Sequence, residues 1–363
     1  MYFHKMSKNV LGVVFLFLLA FGSLAQEQEK PSAFRFSAFL NLYHGHDFNG
    51  PTTEKRLPFL YNHTRHAKPA VNLALLAGTY ESGRFRANLG IQQGTYVADN
   101  LASEPDLLKW IHQANVEYAL DSEKTLWLEA GVLPSHIGFE NAISKENLTL
   151  SRSMIAENSP YFETGFKLGW QADEKWYLAF LYLNGWQRIQ PIQGVNKPSF
   201  GTQVSYTPNS TTTLNWSTFL GTDSGIEAGT YIYFSNMYGI FSPGKKWKLI
   251  AALDVGNRVN ELTSNQSWWG TSLIVQYNFS EKLSSAIRWE YFDDPFQGIS
   301  FSFFDQGLEV GGVSLNLDRK LGNWGMIRLE GRYLDSPNPL YQGNSDPKSD
   351  NLFVLGSFSV FWN

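Results

Sequence analysis

Three groups of residues in the 363-residue chain have types and spacings that could carry chemistry. His44, His46, His63 and His66 crowd one stretch near the start. Two histidines at i and i+2 on a strand can share a metal ion. No carboxylate pattern completes a metal motif, so they read as solvated loop histidines and no metal is expected. Asp293-Asp294 is the kind of acid pair a protease uses, and a Ser/His pair would suit a lipase. Neighbouring residues on a strand point to opposite faces, so these two carboxylates converge only if the chain turns there. Gly311-Gly312 lacks the strand–helix context of a nucleotide fingerprint. The third group is the charge set Glu140, Lys145, Glu146, Arg152 and Glu157 in the stretch 136–160. Such charges could ring a narrow opening and set its field.

The elements that would position this third group lie between Lys124 and Trp186. KTLWLEAGVL alternates, with Leu126, Leu128, Ala130 and Val132 on one face and Trp127, Glu129 and Gly131 on the other. A long loop follows. YFETGFKLGW then sets Phe162, Thr164, Phe166, Leu168 and Trp170 against Glu163, Gly165, Lys167 and Gly169. The polar turn 172–175 leads into a third strand, WYLAFLYLNGW. Period-two alternation marks a sheet between two environments. In a membrane barrel the apolar face meets lipid and the polar face lines water.

Composition narrows the class. A basic start (His4, Lys5, Lys8), an apolar run from Val10 to Phe21 and Ser23-Leu24-Ala25 fit a signal peptide over residues 1–25, with 26–33 a short periplasmic linker. No later stretch reaches the ~18 apolar residues of a transmembrane helix. The chain has no cysteine, which excludes disulfides, thiolate metal sites and a Cys nucleophile. Net charge is −4, and removing Lys5 and Lys8 with the leader makes it −6, so nothing favours nucleic acid.

Sixteen candidate strands follow, at 34–43, 69–81, 84–96, 109–121, 124–134, 161–172, 175–185, 198–207, 210–221, 227–241, 246–256, 267–279, 282–292, 307–318, 322–334 and 351–362. Two of them, 175–185 and 307–318, alternate poorly, and Gly311-Gly312 reads as a bulge. The connections alternate between tight turns rich in Gly, Pro, Asn, Asp and Ser and long loops, with 222–226 the one short member of the long set. Short periplasmic turns and long external loops are the habit of an outer-membrane barrel. The last strand carries Leu352, Val354, Phe358, Val360 and Trp362 on one face and suits closure against the first, which removes edges that lipid cannot tolerate.

Within one stretch, Ile137-Gly138-Phe139-Glu140, Ser151-Arg152-Ser153, Glu157-Asn158-Ser159-Pro160-Tyr161, Glu163-Thr164-Gly165 and Asn184-Gly185-Trp186 together resemble the OmpL-like outer-membrane β-barrel porins. The resemblance implies a passive channel in a gram-negative envelope. It implies no substrate and no catalytic residues.

The expected fold is therefore all-β: an antiparallel, up-and-down transmembrane barrel of about 16 strands over 34–363, with both termini periplasmic. The expected function is a porin passing small hydrophilic solutes and ions by diffusion. The alternatives are a barrel-embedded hydrolase and a plugged structural or adhesive barrel. No cofactor is expected. The bilayer and small polar solutes or ions are the partners, and a homo-oligomer is left open. The loop 136–160 is expected to fold into the lumen, by analogy with general porins. Strand parity turns Arg35, Arg84, Arg86, Arg288, Arg328 and Arg332 inward, diluted by Glu290 and Glu330. It also turns Glu117, Glu129, Glu163 and Lys167 inward, which would oppose a basic arc to an acidic one and place a transverse field across the pore.

Overall fold

The computed structural model describes residues 33–191, 197–222, 230–259, 265–302, 307–343 and 346–362. The expected leader, and the linker up to residue 32, lie outside them.

Sixteen strands form one closed antiparallel barrel, each paired with its neighbours in sequence. They are β1 (Ala33–Asp47), β2 (Ala70–Ser82), β3 (Phe85–Gln93), β4 (Ile111–Ala119), β5 (Leu126–Pro134), β6 (Phe162–Gln171), β7 (Trp176–Leu183), β8 (Ser199–Asn209), β9 (Thr212–Gly221), β10 (Tyr231–Phe241), β11 (Trp247–Val259), β12 (Gln266–Asn278), β13 (Leu283–Asp294), β14 (Leu308–Leu321), β15 (Gly325–Asp335) and β16 (Asp350–Trp362). The seam closes as the sequence predicts, β1 pairing β16 from Ala38 opposite Trp362 to Asp47 opposite Phe353. Two short helices, α1 (Thr95–Asn100) and α2 (Met154–Glu157), sit in the second and third long loops.

β1 runs four residues beyond its expected end at 43, so His44 and His46 stand on a strand rather than in a loop. Both side chains point outward with the exposed set. The expected bulge at Gly311-Gly312 is absent: β13, β14 and β15 pair there without a register shift. Gly312 instead answers a close approach, since a Cβ would lie 2.6 Å from the Leu334 side chain and 3.0 Å from that of Glu290. Register shifts among the described strands fall at Asn41/Leu42, Gly90/Ile91 and Tyr206/Asn209.

The two faces of the wall differ as alternation requires. Outward residues such as Leu76, Phe166, Trp216 and Leu315 are more than half exposed, a ring of apolar surface suited to lipid. The inner face is not uniform. On β3–β6 near the short turns it carries Arg86, Glu117, Glu129 and Lys167, which keep part of their surface exposed. Near the turns of β11–β13 it is covered, with Ile250, Ile274 and Ala286 buried against Leu148 of the third loop, and toward the long loops it is largely apolar and buried. Leu181, Leu183, Phe219, Phe234, Trp268, Phe292, Val310 and Leu334 point inward there and form one buried cluster with Leu57, Phe59 and Leu60 of the first loop (48–69) and Met154 and Ile155 of α2. A uniformly polar lumen, as alternation alone suggests, is thus corrected. The same cluster explains why the seventh and fourteenth strands alternate poorly: Leu181, Leu183, Leu308 and Val310 face a packed plug, so both faces are apolar.

Candidate functional site

The third loop, 135–161, leaves β5 and crosses the lumen before returning to β6. His136 anchors its start. Its Nδ1 lies 2.8 Å from Glu163 Oε2 and its Nε2 lies 2.9 Å from the Thr218 carbonyl oxygen. Burial alone would lower this imidazole, but the Glu163 carboxylate and its hydrogen bond turn the net shift upward. Next, Gly138 donates its N–H to Asn236 Oδ1 on β10 at 3.1 Å. Gly138 has φ of 85°, a backbone state that glycine adopts freely. Ala142 packs with Phe39, Val132 and Phe162 on the opposite wall.

The loop tip turns back over β13–β15. Arg328 donates to the carbonyls of Ser144 and Asn147 and is gripped by Asp318 at 2.7 and 2.9 Å. Leu150 N–H bonds Asn316 Oδ1 at 3.1 Å, and Ser151 N–H and Oγ bond the Glu330 carboxylate at 2.5 and 2.8 Å. Arg288 donates to Thr149 and to Ser151, and it pairs with Glu290 at 3.2 Å and Glu330 at 3.1 Å. Arg332 completes the cluster on Glu290, whose second oxygen takes the Met154 N–H at 2.8 Å. Ser153 caps α2 and donates to Glu140. Buried charges are tolerated when paired and hydrogen-bonded, and each arginine here meets that condition.

A second seam joins the third loop to the first. Glu157 accepts the Tyr61 N–H at 2.8 Å and the Tyr161 hydroxyl at 3.2 Å. The Arg152 guanidinium lies 3.4 Å over the Tyr161 ring. Burial pushes the Glu157 carboxyl up to about 7, against the lowering pull of Arg152, the Tyr61 N–H, Arg332 and Tyr161. His63 is 1 % exposed and bonds Asn41 Oδ1 at 2.8 Å, with burial holding its pKa down at about 3. It is therefore not a solvated loop histidine.

The structure places the expected site residues in different surroundings. Lys145, over the Phe361 ring, and Glu146 keep contact with water at the loop tip. Glu140, Arg152 and Glu157 are buried inside the loop, so they build it rather than ring an opening. On the wall, Glu163, Arg288, Glu290, Arg328, Glu330 and Arg332 do point inward but are spent on ion pairs and loop anchors. That corrects the opposed charge arcs: the basic side is neutralised locally. Arg86 and Glu117 pair at 2.7 Å, and Glu129 and Lys167 at 2.9 Å. These four side chains keep 11–31 % of their surface exposed on the turn-side wall. Arg35 sits at the turn-end rim on Glu81. Arg84 lies in the β2–β3 turn, its Nε on the Ala119 carbonyl and its guanidinium over the outward Tyr118 ring, so it does not line the lumen.

Asp294 is buried and accepts the N–H groups of Gly298, Ile299 and Ser300, while Asp293 lies on the opposite face, so the acid pair does not converge. The His136–Glu163 pair has the geometry of a base and its orienting acid. The nitrogen that would activate a nucleophile is held by a backbone carbonyl instead. Among the described residues no cluster of three or more His, Asp or Glu is arranged to hold a metal.

A closed sixteen-stranded barrel with an apolar exterior and a long loop folded into its lumen has the build of an outer-membrane porin. The sequence profile of the family described as "Putative beta-barrel porin-2, OmpL-like" matches residues 33–361, and the chain belongs to that family. No curated protein matches the sequence. Similar solved structures include the Salmonella typhi OmpF complex with daunomycin, with TM-score 0.62, 10 % identity and 92 % of this chain and 100 % of that chain covered. The anion-selective porin of Comamonas acidovorans has TM-score 0.60, 9 % identity and the same coverages. The outer-membrane channel DcaP of Acinetobacter baumannii has TM-score 0.58, 10 % identity, and 93 % of this chain and 100 % of that chain covered. At these identities the likeness is one of fold.

Proposed function

We propose that the protein is a porin through which small hydrophilic solutes and ions diffuse passively, with no reaction catalysed. Residues 1–25 are its cleaved leader, the long loops face outside, and both termini are periplasmic. The observation that carries this reading is the polar stretch of inner wall on β3–β6 that is left uncovered. On the turn side Arg86, Glu117, Glu129 and Lys167 touch water inside a closed barrel whose outer face is apolar. Lys145 and Glu146, the charges at the loop tip that keep water contact, add to the field along the path. The first loop narrows the external side, and the third loop crosses the lumen to reach Arg328 and Phe361 near the short turns. Planar-bilayer recording on purified protein tests this, with stepwise ionic conductance expected.

A second reading has its own support. Arg288 and Arg328 are fully covered where the third loop lies on the wall, as in a plugged structural barrel. A folded protein that never conducts would favour it.

A further inference from the structure

Between the first, second, third, fourth and seventh loops lies a cavity of about 250 Å³ at the long-loop end. Its floor is the end of α2, Glu157 to Ser159, and its walls include Tyr61, Asn100, Trp186 and Gln187. Sites for drug-sized ligands run ~300–1,000 Å³, so this one has room for about a single sugar ring.

The chemistry of the lining is lopsided. Asn100 spends its amide NH2 on the carbonyls of Tyr61 and Tyr96, at 3.3 and 3.2 Å. Asn158 spends its own on the Met154 carbonyl at 2.8 Å. Both amide oxygens are left to accept. Gln187 takes the Tyr161 N–H at 2.8 Å and donates to the Asn100 carbonyl at 3.3 Å, locking the two Asn-bearing loops together. Trp186 is fixed by edge-on contacts to Phe219 and Phe234, each with ring centroids 5.0 Å away. The site thus pairs aromatic surface with fixed acceptors, which suits a ligand with an apolar face and a rim of hydroxyl donors. Three charged residues line the cavity, and each is engaged: Asp99 by Lys55 at 3.1 Å, Arg65 at 2.8 Å and the Thr64 hydroxyl at 2.6 Å, Glu157 by the Tyr61 N–H and the Tyr161 hydroxyl, and Arg188 by the Ser103 hydroxyl at 2.7 Å. A ligand bearing net charge would find no uncommitted counter-charge in Asp99.

We infer that this cavity binds a neutral polyhydroxylated solute of monosaccharide size and loads it at the entrance to the lumen. The loading role rests on the porin reading; the binding does not. Calorimetric titration of the full mature chain in detergent with D-glucose tests the binding, with bilayer conductance measured on the same preparation. Saturable binding is expected, weakened about tenfold or more by Asn158→Ala, the scale of one lost buried hydrogen bond with its desolvated partner. Trp186→Leu should abolish it and Trp186→Tyr should restore part of it. Heat-modifiable migration on gels confirms that each variant is folded, and Asn100→Ala replaces any that is not. Absence of saturable glucose binding, binding untouched by all these variants, or binding confined to cationic glucosamine would each overturn the inference. A conducting protein that binds no glucose refutes the site and spares the porin reading; a glucose-binding protein that never conducts does the reverse.

Discussion

At the scale of single residues, Glu157 is where the two lumen-filling loops meet, and its protonation should control how firmly they hold. Burial raises its pKa from 4.5 to about 7 in the folded state. A raised folded value means that the folded contact holds the proton more tightly than the open one. The stabilisation is therefore complete below 4.5 and is lost as pH rises through about 7. Its ceiling is on the order of 3 kcal/mol. Hydrogen exchange at residues 57–61 should quicken between about pH 5 and 8, and Glu157→Gln should hold the slow, low-pH behaviour throughout. Exchange that ignores pH in the wild type would refute this. Two arginines make a paired test of the water path. Arg86→Gln leaves Glu117 uncompensated on the wall and should shift the reversal potential toward cations in a salt gradient, more so as screening lengths grow from ~10 Å at 0.1 M to ~30 Å at 0.01 M. Arg84→Gln, in the turn, should leave it unchanged. Equal shifts would mean that the turn residue also faces the path.

At the scale of elements, the wall was legible and the filling was not. Alternation with period two exposes strands directly, because a wall between lipid and lumen has two unlike faces. Hence the pairing of β1 with β16, and the inward set Glu117, Glu129, Glu163 and Lys167, could be read from residue order. The motif blocks around 137–165 also marked the third loop, and the structure shows their use: Gly138 reaches β10, Ser151 and Ser153 meet Glu330 and Glu140, and Glu163 orients His136. What parity cannot give is depth. It turned Arg288 and Arg328 inward but could not say that a loop backbone would cover them. The first loop was missed altogether as a lumen element. Its signal was present in Leu57-Pro58-Phe59-Leu60-Tyr61, an apolar run with no strand to belong to. Phe59 is 1 % exposed. Phe59→Ala should therefore cost about 3–5 kcal/mol of local packing. It should raise open-channel conductance or its noise, and a current trace indistinguishable from wild type would mean that the first loop is no part of the constriction.

At the scale of the whole molecule, closure and the sorting of faces hold the barrel together. Every strand has two partners, so no backbone edge is presented to lipid. The exterior then tolerates no charge. Phe166 is 55 % exposed on the outer face of β6. Phe166→Arg at mid-depth should cost ~2–4 kcal/mol and cut the yield of assembled barrel. Lys167→Gln, one residue away on the inner face, should be far milder. Equal losses would mean that the faces are assigned backwards. The barrel is expected to conduct although the first loop fills its outer half and the third loop crosses the lumen toward the turns. Single-channel recording of the mature chain, purified and heat-modifiable on gels, tests it most directly. Discrete, reproducible steps of ionic current that grow with salt concentration are the predicted result. A folded, membrane-inserted protein that carries no current at any pH would contradict it and leave a plugged barrel in its place.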